Sequence, residues 1–172
     1  MSGRLPRLHR LAALLSLAIP VAGACAAPAT QSAPAEVALL HPLTVIKRSD
    51  LDFGTIVASG AGTAVMDPVG GSIATTGALL VSGTAAHPAR FTATGSKNAV
   101  ALIRLPKNPA TLTRVGGSET LTVSNWTVDG KTNRRIPAND TFDFYVGGTL
   151  NVASGQTDGT YVGTFTVTVQ YP

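Results

Sequence analysis

The stretch 159-GTYVGTFTVTVQYP-172 decides the fold class. Within it Tyr161, Gly163, Phe165, Val167, Val169 and Tyr171 alternate with Val162, Thr164, Thr166, Thr168 and Gln170. A period of two puts these sets on opposite faces of a pleated strand, so Phe165, Val167 and Val169 are expected to face a core. The aromatic and β-branched residues suit a half-buried pleated surface. The run reads as one strand over 160–171 at the end of the sequence, which poses the question of what pairs with it.

The same pattern recurs upstream. Strands are expected near 43–47, 62–67, 72–76, 79–82, 89–94, 99–105, 111–114, 119–128, 141–146 and 149–152. No window sustains the i, i+3, i+4, i+7 spacing of an amphipathic helix. Asp129-Gly130 suits a tight hairpin, as does Asp158-Gly159, because these residue types accept positive φ. Gly147-Gly148 reads as either a two-residue turn or a bulge. Short alternating segments between turn signals predict an all-β domain, an immunoglobulin-like (pilin-like) β-sandwich that is complete or one strand short. Phe91, Leu102, Phe142 and Phe144 are expected to share its core with the final strand.

The N-terminus reads differently. Arg4, Arg7 and Arg10 precede an apolar run at 11–22, followed by the small residues VAGACAAPA. A basic start, a short apolar core and an A-x-A site describe a secretory signal peptide over 1–26, exported by the Sec pathway to the periplasm, the cell surface or the medium. The apolar run is too short to span a membrane, so no stable span is expected after its removal. Cleavage after Ala24 or Ala26 fits. A rival reading makes Cys25, the single cysteine, a lipidated N-terminus. Residues 27–42 form an Ala/Pro-rich flexible leader, and 43–172 the sandwich domain. Thirteen basic residues face nine acidic ones, but three of the basic residues lie in the signal, which leaves a balance of +1. That near-neutrality argues against a nucleic-acid partner.

The sequence offers little chemistry. His41 and His87 lie in separate segments, so no two-His metal spacing arises beyond the signal. No nucleophile elbow, zinc-protease helix or phosphate loop is present. Asp50 and Asp52 could bind a cation weakly but read better as solvated acids beside Lys47 and Arg48; these and the pair Asp140/Asp143 would make a glycosidase pair only by an accident of the fold, and Arg134-Arg135 reads as a solvated turn. Trp126, the only tryptophan, is a candidate ligand contact, but on an alternating strand it reads better as a packing residue. No catalytic residue, metal or cofactor is expected.

The C-terminus resembles that of chaperone–usher pilins, which end in a strand with a penultimate Tyr, here Tyr171, and a Gly fourteen from the end, here Gly159. The resemblance implies an incomplete sandwich whose gap is filled by a periplasmic chaperone and then by the N-terminal extension of a like subunit. LDFGTI from Leu51, ARFTATG from Ala89, VGGTLNV from Val146 and the final strand together resemble a bacterial secreted family, domain of unknown function 4402, regarded as related to pilin and spore-coat-like proteins. Two features depart from the pilin pattern. A disulfide in the first half cannot form, and the leader's alternating residues Val37, Leu39, His41, Leu43 and Val45 are interrupted by Pro42.

Two functions are therefore expected in competition. The first is a non-enzymatic, secreted or cell-surface structural subunit that assembles by β-strand addition. Its assembly strand is Gly159, Tyr161, Gly163, Phe165, Val167, Val169 and Tyr171, with Gly163 leaving a hole for a donated side chain. The alternative is a monomeric envelope module with a complete sandwich that binds a glycan or protein. A secreted enzyme is a distant third.

Overall fold

The computed structural model describes residues 29–83 and 86–172. The expected signal peptide and Cys25 lie outside them. Residues 29–42 carry no regular secondary structure and are exposed. Eleven strands follow among the described residues: β1 (Thr44–Ser49), β2 (Thr55–Met66), β3 (Ile73–Ser82), β4 (Ala89–Thr94), β5 (Val100–Arg104), β6 (Ala110–Arg114), β7 (Thr120–Val128), β8 (Asn133–Arg135), β9 (Thr141–Val152), β10 (Tyr161–Val162) and β11 (Thr168–Gln170). The described chain has no helix, so the all-β expectation holds.

All pairings are antiparallel. The larger sheet runs β1-β4-β9-β7-β6-β10, with the β2–β3 hairpin joined to it through β9. The smaller sheet runs β11-β5-β8. The long β9 organises the larger sheet. Its Thr141–Val146 half pairs with β4 and its Thr149–Val152 half with β2, while β7 runs along its other edge.

Gly147-Gly148 is the handover point between those two neighbours, and β9 passes through it unbroken, which overturns the hairpin alternative. A side chain on Gly147 would strike the carbonyl of Met66, and one on Gly148 would crowd Val123 and Trp126. The irregularity lies on the partner strand. Ser124 pairs with Thr149 and Thr127 with Gly147, so Asn125 and Trp126 bulge opposite Gly148. Asn125 takes the positive φ of 49° that the bulge requires.

Two apolar clusters result. In one, Phe91 of β4 and Phe144 of β9 stack at 5.2 Å, with Ile103 of β5 packed on them. The smaller sheet thus covers the β4–β9 face. Burying each such side chain contributes roughly 1.5–3 kcal/mol. In the other, Ala64 and Met66 of β2 meet Leu121 and Val123 of β7 and Leu150 of β9. Phe142 packs on the first cluster as expected. The buried residues of β5, however, are Ala101 and Ile103, so Leu102 occupies the opposite parity and is only half-buried.

The single final strand is the main correction. Tyr161–Val162 pairs with Arg114 and Thr113 of the larger sheet, whereas Thr168–Gln170 pairs with Arg104, Ile103 and Leu102 of the smaller one. The residues between belong to neither ladder. The side-chain period persists through this switch, and period is all that the sequence displays. Asp129-Gly130 likewise joins β7 to β8, which pairs with β5, so it turns a corner between sheets rather than closing a hairpin.

Candidate functional site

The final strand keeps its expected polarity. Phe165, Val167 and Val169 pack against the Phe91–Phe144 cluster, yet each stays only half-buried. β10 and β11 are each the outermost strand of their sheet and hydrogen-bond to one neighbour. Tyr171 is fixed at the strand's end. Its hydroxyl donates to the carbonyl of His41 at 2.8 Å and accepts from the Ser96 amide at 2.8 Å. The His41 amide donates in turn to Ser96 Oγ at 2.6 Å. This ties the root of the leader to the C-terminal strand.

Gly163 does not offer the hole expected of it. The position a Cβ would take is filled by the carbonyl of Thr111 and the side chain of Leu112, both on this chain's own β6. Gly159 has φ of 147° and sits against the Arg114 side chain. Trp126 is half-buried, stacked 4.5 Å from Phe165, and its indole N–H donates to the Asn108 carbonyl at 3.2 Å. Its contacts on both core clusters are those of a packing residue.

One open cleft, of about 520 Å³, is lined in part by Leu112, Leu121, Leu150 and Val152. Tyr161 lies on one wall, and Thr55, Ile56 and Ala58 on another. The Tyr161 hydroxyl is already engaged, donating to the Thr157 carbonyl at 2.6 Å and accepting from Gln156 Nε2 at 2.7 Å. The lining is mixed, with Asp52, Gln156, Asp158 and Thr160 beside the apolar residues.

Residues 43–171 match the family described as Domain of unknown function (DUF4402). The chain belongs to that family. No curated protein and no solved structure matches it. The match covers the whole described sandwich and stops short of the leader.

Several charged groups of this DUF4402 domain sit in structural pairs. Arg114 hydrogen-bonds Glu119 at 2.8 and 3.1 Å, which lowers the Glu119 carboxyl to about 2. The pair braces the end of β6 where β10 docks. The Thr92 hydroxyl, and then Arg90, hold the Asp143 carboxyl below its usual range. Asp50 pairs with Lys47, and Asp52 Oδ1 accepts from the Gly54 amide at 2.7 Å. His41 and His87 stay apart, and among the described residues no group of three or more His, Cys, Asp or Glu could hold a metal. No helix there is long and apolar enough to cross a membrane.

Arg134 was also misread from the sequence. It is not a solvated turn residue, since its side chain is 17% exposed. Its guanidinium donates to Asp129 Oδ1 at 2.8 Å, to the Lys131 carbonyl at 2.9 Å and to the Asp143 carbonyl at 3.2 Å. Asp129 Oδ1 also accepts from the Tyr145 amide at 2.7 Å. The network joins β8 of the smaller sheet to β9 of the larger. An Asp five residues before an Arg, across a Gly turn, was the available signal.

Proposed function

We propose that this DUF4402 domain is a non-enzymatic, exported subunit of a surface structure that assembles by β-strand addition. The observation that carries this reading is the state of the final strand. Both of its segments are outermost in their sheets, and its inward residues Phe165, Val167 and Val169 are left half-buried. An outer strand presents unpaired backbone donors and acceptors, which a further strand satisfies. The leader supports the reading too, because Val37 and Leu39 are 81% and 90% exposed and lie two residues apart. Export rests on the basic and apolar N-terminus. The immunoglobulin-like, pilin-like form of the sandwich and service by a periplasmic chaperone belong to the same proposal.

Sedimentation velocity on purified protein over a wide concentration range tests it. Reversible or linear assembly that Leu39→Asp abolishes supports strand addition. A monomer at every concentration, indifferent to that change, contradicts it and favours the self-contained binding module.

A further inference from the structure

The outward face of the smaller sheet carries cations and no acid. Ala101 and Ile103 of β5 are buried, so Val100, Leu102 and Arg104 take the opposite face, and Arg104 is exposed. In β8 the Arg134 side chain turns inward to Asp129, which leaves its neighbour Arg135 exposed on that same outward face. The register sets Arg135 opposite Val100, Asn133 opposite Leu102 and Thr168 opposite Arg104. The Ile103 amide donates to the Thr132 carbonyl, which extends the register one step and brings the exposed Lys131 beside Arg104. No Asp or Glu lies in β5, β8 or β11. Among the described residues, ion pairs join Lys47 to Asp50, Arg90 to Asp143, Arg114 to Glu119 and Arg134 to Asp129. Arg104, Lys131 and Arg135 enter none of them.

We infer that this face is a docking surface for an acidic polysaccharide. Cations with no acid between them make a local positive field, even in a domain whose overall charge is close to neutral. Arg135 stands opposite Val100, four residues from Arg104, a separation of about 13 Å along β5. Carboxylates spaced along one glycan chain can therefore meet both. Between the cations Thr168, Gln170 and Asn133 are exposed. They present a hydroxyl and two amides, which donate to and accept from sugar hydroxyls. Two other classes of polyanion fit less well. A single-stranded nucleic acid stacks its bases on aromatic side chains, and none of the three strands carries Phe, Tyr or Trp. A lipid surface is entered by large apolar side chains, and Leu102, the largest on this face, is half-buried. A strand added beside β11 extends the sheet and leaves its face open, so the inference does not depend on strand addition.

Calorimetric titration of the purified protein with oligogalacturonate at low ionic strength tests this. Neutral dextran oligomers, a DNA duplex and phosphatidylglycerol vesicles serve as comparisons. Oligogalacturonate should bind, dextran should not, and added salt should weaken the binding. Arg104→Gln combined with Arg135→Gln should lower the affinity by about tenfold. Lys47→Gln combined with Arg48→Gln removes the same charge from β1 of the larger sheet. That pair should change the affinity by less than about twofold. All four residues are exposed, so the melting temperature of both variants should hold. Equal losses from the two variants would show that binding follows net charge, and the assignment to this face falls. Absent binding, equal binding of dextran, or a preference for the duplex or the vesicles over oligogalacturonate contradicts the inference.

Discussion

The Tyr171 hydroxyl is bonded to the His41 carbonyl across 130 residues of sequence. One phenol thereby joins the penultimate residue of the chain to the last residues before β1. Because the same oxygen accepts from the Ser96 amide, the leader root, the end of β4 and the terminal strand share one fastening. Beside it, Thr168–Gln170 pairs with β5 through Leu102–Arg104.

Replacing Tyr171 by Phe removes both bonds and keeps the ring. The expected cost is about 1 kcal/mol, read as a shift of the denaturant midpoint. The Ser96 amide should exchange faster, and the leader should become easier to cleave near His41. Unchanged exchange at Ser96 would contradict the fastening.

Arg134 is expected to matter more to stability than its sequence context suggests. Arg134→Lys keeps the charge but loses the fork that reaches Asp129, Lys131 and Asp143 together. A loss of about 2 kcal/mol in equilibrium unfolding is expected, the cost of orphaning part-buried acceptors. A loss no greater than that of Arg135→Lys would show that the network contributes nothing specific.

Gly163→Leu should destabilise the domain itself. Its side chain would drive into Thr111 and Leu112 of β6, and overpacking of this kind costs about 1–3 kcal/mol. The melting temperature should fall in dilute monomeric protein. A normal melting temperature with lost assembly would instead restore the hole that sequence alone suggested at this glycine.

The Arg114–Glu119 pair gives a defined pH dependence. The Glu119 carboxyl is lowered from an ordinary 4.5 to about 2 by the Arg114 guanidinium. The unfolded chain therefore binds the proton first as pH falls. The contribution of the pair is full above 4.5 and fades as pH drops toward 2. The pair is only partly shielded from solvent, so the effect is small and screened by salt. The stability difference between the protein and Glu119→Gln should narrow across that window at low ionic strength. A difference that stays constant there would contradict the pairing.

Much of the sandwich was legible because period-two patterns survive translation into structure: β4, β6, β7 and both halves of β9 lie within a residue or two of where the alternation placed them. What escaped was whatever depends on backbone partners. The alternation from Tyr161 to Tyr171 is uninterrupted, although the strand changes sheets midway. The first half of β2, TIVASGAG, mixes Ala, Gly and Ser and offers little apolar contrast, so its strand was missed until Gly62. β8 is three polar residues held by Arg134 rather than by burial of an apolar row. The cleft could not be read at all, since it arises where β2, β9 and β10 meet from distant parts of the chain.

Hydrogen–deuterium exchange at low and high protein concentration tests strand addition most directly, because it reports on the backbone edges themselves. Amides of Tyr161–Val162 and Thr168–Gln170 on the open edges of the final strand should exchange quickly in dilute protein and become protected as copies associate. β4 and β9, already paired on both sides, should show no such change. Concentration-independent exchange at both edges, in protein that has demonstrably associated, would contradict the account.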